Sequence, residues 1–455
     1  MLHSTPKTTQ PNLFHSQLGD MLDSRDPLIA LADTIDWTFF DKEFEKYYTL
    51  DNGRPGKPVR LMVGLLLLKQ LENISDENVV LQWKRNPYYQ YFCGFNEFQV
   101  TLPCHPTELV KFRQRIGTEG ARKIFAVSVG VHGKKAEEKD VIVDTTVQEN
   151  NITYPTEGKL TIKIINHIHK IAKREGIQLR RTYVKEIKGH RISLRFFRHP
   201  KKIKKARGAT KRLKTIAKAL MRDLDRNFTE IQHQEYAQDF YLFMRILLQE
   251  RNTPNKIYSL HESHAYAVGK GKDHKKWEYG TKASIVTTKN SGIIIGVAAH
   301  RKNEHDSKTI EAALASANSN RTKPIREAVC DRGYRGKKEV DGTSICIPGK
   351  ELKRDTKYQK EQKRKKFRRR AAIEPVIGHM KSDYRMQRNY LQGFIGDEIN
   401  LLLAASAFNL KKWMNDFIRL LFVLRIALFV YVLLRVKADQ REKYANLYLL
   451  ISRLW

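Results

Sequence analysis

The fold of this chain is decided by a short apolar run that leads into an acidic residue, AVCDRGY at residues 328–334. Ala328 to Cys330 are typical of a buried strand, and Asp331 follows them directly. A similar run, VIVDTT at residues 141–146, predicts a second strand that ends at Asp144. Glu374 lies further on, in a basic helical stretch. Two strand-end aspartates and a helical glutamate can hold two divalent metal ions, because hard cations prefer carboxylate oxygens.

The other predicted elements give an α/β order. Strands at 282–288 and 292–299 are separated by three turn residues and form a hairpin. A helix capped by Asp306 or Ser307 follows, then the strand before Asp331, a strand at 344–348 and a long helix around Glu374. This order, with mixed strand pairing, is that of the ribonuclease-H-like fold. We therefore expect an α/β catalytic domain at 138–414, interrupted by a basic helical insertion at 157–255.

One segment of the predicted insertion carries more than half of the net charge of the chain. Residues 159–226 hold 23 lysines and arginines against 4 acidic residues, a net charge of +19, whereas the whole chain carries +35. A solvated helical surface usually mixes both signs, so this bias favours contact with a phosphate backbone. Charge alone does not separate a nucleic-acid-binding enzyme from a ribosomal or membrane-surface protein.

An all-helical region, 1–130, precedes the predicted sheet. It contains a leucine-rich helix at 60–71, a helix capped by Ser75, and another helix from Thr107 to about Gly117. Short successive helices with basic residues suit a DNA reader of the helix-turn-helix type. A plain helical bundle fits the same pattern equally well.

Cysteine usage and the termini indicate a cytoplasmic, nucleoid-associated protein. The four cysteines contain no CxxC pair, which indicates reduced thiols rather than a zinc site or disulfides. No apolar signal sequence opens the chain. Residues 418–434 are apolar except for Arg419 and Arg425, so we expect an apolar helical tail at 415–455 and no stable membrane association. A membrane helix is the alternative for this segment.

Several separated motifs resemble bacterial insertion-sequence transposases of the DDE superfamily. Asp331 to Tyr334 is similar to their second-aspartate motif. Their signature Tyr-x2-Arg-x3-Glu-x6-Lys reads here as Phe367, Arg370, Glu374 and Lys381, so three of the four positions match. Four further blocks are similar to the same proteins, over a resemblance that spans roughly residues 40–414: 53–65, 86–94, 374–381 and 385–389.

The resemblance implies a DNA transposase. Asp144, Asp331 and Glu374 would be its catalytic residues and its metal ligands, with two Mg²⁺ ions or Mn²⁺ as a substitute. Water would cleave the phosphodiesters at the element ends, and the freed 3′-hydroxyl would attack target DNA. The expected partners are double-stranded DNA, carrying terminal inverted repeats or the target site, and a second copy of the chain in a homodimeric synaptic complex.

The candidate DNA contacts cluster near Glu374. On one continuous helix, Arg370, Glu374, Lys381 and Arg385 would share a face, where the cations could hold phosphates. An exposed helix with i,i+4 ion pairs is the plainer explanation of that face. Tyr334 could contact DNA or pack in the core. Phe367 replaces the signature tyrosine and lacks its hydroxyl.

Some residues have structural explanations that compete with catalysis. Asp306 is expected to cap a helix, with a metal-binding role as the weaker alternative. His261, Glu262 and His264 could lie near the active face, although packed or solvated side chains are the simpler expectation. Two rival functions also fit the sequence: a nuclease of the same fold that cuts without joining, and a silenced copy that only binds DNA.

Overall fold

The structure is a computed structural model that describes residues 16–49, 55–250, 252–269, 276–349 and 354–451, with side chains up to Tyr431. Gly53 and Arg54 of the transposase-like N-terminal block lie outside the described residues.

The N-terminal region is helical. Ser75 accepts a hydrogen bond from the backbone of Asn78, which confirms the predicted cap. The helix from Thr107 was predicted to end near Gly117, and Gly117 does interrupt it: its backbone is non-helical (φ 57°, ψ −158°), and a second helical segment follows across this kink. The helices described before residue 131 are α1 Leu18–Met21, α2 Pro27–Thr34, α3 Trp37–Glu45, α4 Val59–Leu71, α5 Asp76–Arg85, α6 Pro87–Phe92 and α7 Pro106–Gly130.

A mixed sheet follows, and its order confirms the ribonuclease-H-like α/β fold. The described strands are β1 Asp140–Asn150, β2 Tyr266–Gly269, β3 Trp277–Thr288, β4 Ile294–His300, β5 Glu327–Val329, β6 Glu339–Val340, β7 Thr343–Cys346 and β8 Arg388–Asn389. β4, β3 and β1 are antiparallel neighbours, whereas β1, β5 and β7 pair in parallel. β2 extends β3 on the side opposite β1, β6 pairs with β7, and β8 pairs with the end of β1. The antiparallel pairing of β3 with β4 confirms the predicted hairpin.

Helices lie between and beside these strands. They are α8 Glu157–Arg174, α9 Val184–Leu194, α10 Ile203–Asn227, α11 Glu230–Leu248, α12 Asp306–Asn318, α13 Lys357–Arg370, α14 Ile373–Ser382 and α15 Gly393–Ile451. Short 3₁₀ helices occur at Gly133–Glu137 and Arg332–Tyr334. The chain order is therefore strand, helical insert, strands, helix, strands and helices, as the sequence predicts.

Two hydrophobic cores stabilise the described chain. The first joins α2 to α7, the sheet and the N-terminal half of α15, so the N-terminal helices and the catalytic sheet share one core. The second lies within α8 to α11, where the predicted apolar faces of α8 and α10 are buried against each other. Ile164, Ile168 and Leu213 are fully buried there. The helices between β1 and β2 thus have a core of their own.

Three local predictions were wrong. Asp144 lies within β1 rather than at its end, because β1 continues to Asn150 through pairing with β3. The helix around Glu374 is interrupted at Ala371 and Ala372, so Arg370 ends α13 and Glu374 begins α14. The cap of α12 is His305, whose side chain accepts from the backbone of Ser307.

The predicted C-terminal helix is the second half of α15. Its apolar side chains from Ile418 to Tyr431 are largely exposed. Within the described residues, no helix combines the length and the apolar composition that are needed to cross a bilayer. All four cysteines are free thiols.

Candidate active site

Asp144 and Asp331 come from neighbouring parallel strands. β1 and β5 pair through Val141 with Ala328 and through Ile142 with Val329. Asp144 and Asp331 each lie two residues beyond the last of these pairs, and the charge of Asp331 acts on Asp144. Asp331 follows β5 as the N-cap of the 3₁₀ helix, where its Oδ1 accepts from the backbone of Gly333 at 2.7 Å. Sequence patterning thus identified two acids that the sheet brings to one edge.

Asp144 lies in a poorly solvated position. Its side chain is 18% exposed, and Oδ2 receives a hydrogen bond from Arg370 Nη1 at 3.4 Å. Burial raises the pKa of the Asp144 carboxyl to about 6; the charges of Asp331 and Asp306 act in the same direction, against the backbone N–H of Thr145 and the charge of Arg370. Three carboxylates therefore influence one another at this edge.

Glu374 is less closely associated with the two aspartates. Its side chain is 65% exposed and pairs with Arg370 Nη2 at 3.6 Å. Arg370 therefore lies between Glu374 and Asp144 and contacts both. Among the described residues, no three histidine, cysteine or acidic side chains converge closely enough to form a metal-binding group. The charges of Asp144 and Asp331 act on each other, and the guanidinium of Arg370 connects Glu374 to Asp144.

Asp306 also lies near Asp144 and Asp331, although the sequence favoured a capping role for it. We call Asp144, Asp306 and Asp331 together the acidic edge. Oδ1 of Asp306 accepts from the hydroxyl of Thr145 at 3.0 Å and pairs with Lys282 at 3.1 Å. A Cβ atom added to Gly333 would lie 2.9 Å from both Asp306 Oδ2 and Asp331 Oδ1. The separation of these two oxygens is thus at most twice that distance. Glycine at 333 keeps the space between the two carboxylates open.

The predicted DNA contact of Tyr334 is wrong. Its side chain is 1% exposed and belongs to the main core, so the packing alternative holds. The Tyr334 hydroxyl is buried without a hydrogen-bond partner among the described residues. Burial raises the pKa of Tyr334, and the charges of Asp144, Asp306 and Asp331 add to this effect. The hydroxyl therefore lies within the influence of all three carboxylates.

Lys381 and Arg385 line a cavity of about 850 Å³ between the N-terminal helices and the end of α14. Arg385 lies beyond α14 with φ 62°, so it does not share one helical face with Lys381 as predicted. Arg385 donates to the backbone of Asn73 at 3.2 Å, while Lys381 lies 3.8 Å from Glu278. The buried groups Lys69, Asp76 and Arg113 line the same cavity, and Asp76 pairs with both cations. The cavity wall is predominantly cationic.

His264 packs against other side chains, which agrees with the simpler of the two expectations from the sequence. Its Nε2 lies 2.8 Å from Oδ2 of the fully buried Asp397, and Glu262 lies 3.5 Å from its Nδ1. Asn150 and Asn389 donate to Asp397 at 2.7 and 2.6 Å. This network fixes the end of β1 against α15. Sequence patterning missed it, because its members are far apart along the chain.

The acidic edge has oxygen donors of the kind that divalent cations prefer, although these described carboxylates do not converge into a metal-binding group in this structure. Asp144, Asp306 and Asp331 supply hard oxygen ligands, whereas only Lys282 and Arg370 pair with this set among the described residues. The excess of negative charge, together with the raised pKa of Asp144, favours a bound cation.

Comparisons with known proteins agree with this geometry. Residues 16–115 match the family described as Transposase domain (DUF772), and residues 251–410 match the Transposase DDE domain. Asp331 and Glu374 fall in the second stretch, whereas Asp144 falls between the two. The chain is also 37% identical to "Uncharacterized protein ORF8 in nfe locus" of Rhizobium meliloti over 205 residues, which are 44% of this chain and 98% of that protein.

No solved structure matches the chain. The two family matches occur in the order expected for a transposase, and the mixed sheet has the ribonuclease-H-like arrangement that the second family implies. The chain belongs to the DDE transposases of insertion sequences, enzymes that cleave and transfer DNA.

Proposed function

We propose that this transposase binds the terminal inverted repeats of an insertion sequence, cleaves their ends and joins them to target DNA. The observation that carries the proposal is that Asp144 of β1 and Asp331, which follows the parallel neighbour β5, act on each other electrostatically beside Arg370. This arrangement places acidic ligands next to a phosphate-binding cation. Both are needed for in-line displacement at phosphorus.

Asp144, Asp331 and Glu374 would hold the Mg²⁺ ions on which this family depends, and the bound metal would supply charge neutralisation and an activated nucleophile. Arg370 pairs with both Asp144 and Glu374 in this structure. If a DNA phosphate took the place of these carboxylates as the partner of Arg370, the scissile strand would lie at the acidic edge. The guanidinium suits this role because it binds phosphate in a bidentate manner.

Two cationic surfaces support DNA binding. The exposed side of α10 carries basic residues that include Lys204, Lys205 and Lys211. The cavity beside α14 adds Lys381 and Arg385, together with cations of the N-terminal helices. We assign the insertion to the phosphate backbone and the N-terminal helices to the inverted repeat. Because element ends come in pairs, the active complex is a homodimer holding two ends.

Strand cleavage tests this function. The substrate is DNA that carries the inverted repeats flanking the gene, assayed with Mg²⁺. Asp331→Asn should abolish cleavage while DNA binding remains, and Asp225→Asn, at a 58% exposed side chain of the insertion, is the matched control. Undiminished cleavage by Asp331→Asn would refute the assignment. Pre-cut ends in the same assay separate a transposase, which joins them to target DNA, from a nuclease, which does not.

A further inference from the structure

The cavity between the N-terminal helices and the end of α14 is too small for a DNA duplex. Its volume is about 850 Å³, within the range of about 300–1,000 Å³ that is usual for small-molecule sites. A sphere of that volume is about 12 Å across, no wider than the major groove of B-form DNA alone. A duplex can therefore lie across the mouth of the cavity but cannot enter it, whereas a nucleotide of a single strand can.

Two buried cations form part of the cavity wall. Lys69 and Arg113 are only 8% and 5% exposed. Both pair with Asp76: Arg113 donates to its two carboxylate oxygens at 2.8 and 2.5 Å, and Nζ of Lys69 lies 2.9 Å from Oδ1. One carboxylate thus serves two cations, and this part of the wall keeps one net positive charge.

The charges of the whole wall are also unbalanced. The lining side chains carry five positive and two negative charges, a net charge of +3: Lys69, Arg113, Lys381, Arg385 and Arg388 against Asp76 and Glu77. Glu278, which lies 3.8 Å from Lys381, lowers this excess by one. Burial lowers the pKa of Lys69 to about 8; the charges of Arg113 and Arg385 act in the same direction, against Asp76. Because these cations repel one another, a phosphate among them would relieve the repulsion.

An aromatic ring lies beside these cations. Tyr390 lines the cavity, and its side chain is 59% exposed. The guanidinium of Arg385 lies 5.7 Å from the centroid of the Tyr390 ring. The backbone carbonyl of Arg385 accepts from the side chain of Asn400 at 3.1 Å, which fixes this residue beside the ring. An aromatic surface on which a base can stack, next to cations that hold its phosphate, is typical of proteins that bind single-stranded nucleic acid.

We propose that this cavity binds one unpaired nucleotide of a DNA strand, with its phosphate held by Lys69, Arg385 and Arg388 and its base stacked on Tyr390. The inference rests on the proposed function in DNA joining, and it names the form of DNA that this part of the enzyme takes: a strand end that has left the duplex. Binding in the cavity needs neither Mg²⁺ nor the acidic edge, so it is measurable without cleavage.

The test measures binding of two duplexes of unrelated sequence to the full-length protein in EDTA. One duplex is blunt, and the other adds a short 5′-phosphorylated overhang of unpaired thymidines. We expect the wild type to bind the overhang duplex at least about 5-fold more tightly, a factor at the lower end of base-stacking energies. Tyr390→Ala should lower this preference by about 5-fold or more. Tyr390→Phe keeps the ring and should keep the preference.

Lys69→Met provides a second change, at a buried part of the wall. It removes the charge of Lys69 and leaves Asp76 paired with Arg113. Its preference for the overhang should also fall, whereas Lys323→Met, at an exposed lysine outside the cavity, should keep the wild-type preference. Thermal unfolding shows whether each variant is folded. If Lys69→Met is unfolded, the two variants of the exposed Tyr390 decide the test.

The outcomes separate this inference from the proposed function. Equal affinity of the wild type for the two duplexes would overturn the inference, and so would an unchanged preference in Tyr390→Ala. Binding of free thymidine monophosphate without any preference for the overhang would assign the cavity to free nucleotides and overturn the inference as well. A preference that depends on Tyr390, in a protein that neither cleaves nor joins the flanking repeats, would support the inference and refute the proposed function.

Discussion

Arg370 donates a hydrogen bond to Asp144 across 226 positions of the sequence, at a distance of 3.4 Å. The same guanidinium lies 3.6 Å from Glu374. Arg370 therefore connects the last residue of α13, the middle of β1 and the first turn of α14. Asp144 and Glu374, two acids of the triad, are thus linked through the cation Arg370 and not by a direct contact with each other.

Replacing Arg370 should destabilise the metal-free protein. In Arg370→Gln, the buried Asp144 loses its cationic partner, and we expect the free energy of unfolding in EDTA at pH 7 to fall by about 1–3 kcal/mol. The loss should be smaller at pH 5, because the pKa of Asp144 is about 6 and the protonated carboxyl needs no cation. Urea unfolding at the two pH values measures both effects. Arg370→Lys is the charge-preserving control, and equal stabilities of Arg370→Gln and wild type at pH 7 would contradict the prediction.

A side chain at residue 333 should obstruct the acidic edge. The Cβ of Gly333→Ala would lie 2.9 Å from Asp306 Oδ2 and from Asp331 Oδ1, so the carboxylates must move apart. We expect a loss of about 1–3 kcal/mol in the free energy of unfolding, as for other overpacked sites, and a loss of DNA cleavage of at least about 10-fold. Gly349→Ala is the control, because an added Cβ there meets no atom within 4 Å. Wild-type cleavage by Gly333→Ala would show that the space is not needed.

The sequence predicted the order of the sheet because apolar runs and turn residues mark each strand. The aspartate after a buried strand was therefore identifiable, and β1 and β5 place Asp144 beside Asp331. The extension of β1 beyond Asp144 was not predictable, since its buried polar residues Gln148 and Asn150 are satisfied by Asp397, far along the chain.

The remaining errors near the site have similar causes. Pro375 lies in the first turn of α14 and is compatible with a helix start there, but the basic helical pattern before it favoured one continuous helix through Arg370 and Glu374. The burial of Tyr334 depends on packing in the core that is shared by distant elements. For Asp306 the sequence favoured helix capping over metal binding, because the approach of its side chain to Asp331 depends on how α12 packs beside the end of β5.

The stability of the chain should depend on the protonation of His264. Burial alone would lower the pKa of His264, but the hydrogen bond and charge of Asp397, with the charge of Glu262, raise it despite the opposing charge of Arg301. A histidine whose pKa is raised by folding stabilises the protein fully below its unfolded pKa of about 6.5. That contribution is lost as the pH rises through the folded pKa.

His264→Gln should therefore remove part of the pH dependence of unfolding. The difference in free energy of unfolding between wild type and variant should be largest near pH 6 and decrease toward pH 8.5. Urea unfolding across this range measures the difference. A difference between wild type and His264→Gln that stays constant with pH would exclude the protonated pair.

Basic residues on α10 should contribute to DNA affinity through the phosphate backbone. Lys204 and Lys205 are exposed, and they lie in the strongly cationic segment of the insertion. Neutralising both in Lys204→Gln/Lys205→Gln removes up to two phosphate contacts. Each lost contact lowers the slope of log affinity against log salt by about 0.9.

The measurement is DNA binding over a range of salt concentrations, with both specific and unrelated duplexes. We expect the variant to bind both duplexes more weakly, because phosphate contacts carry no base information. The control Lys302→Gln/Lys323→Gln changes the charge by the same amount at exposed positions outside the insertion. If the control lowers the salt slope as much as the α10 variant does, the effect reflects net charge alone and α10 is not the DNA-binding surface. A reduced slope in the α10 variant alone would locate the DNA backbone along the insertion.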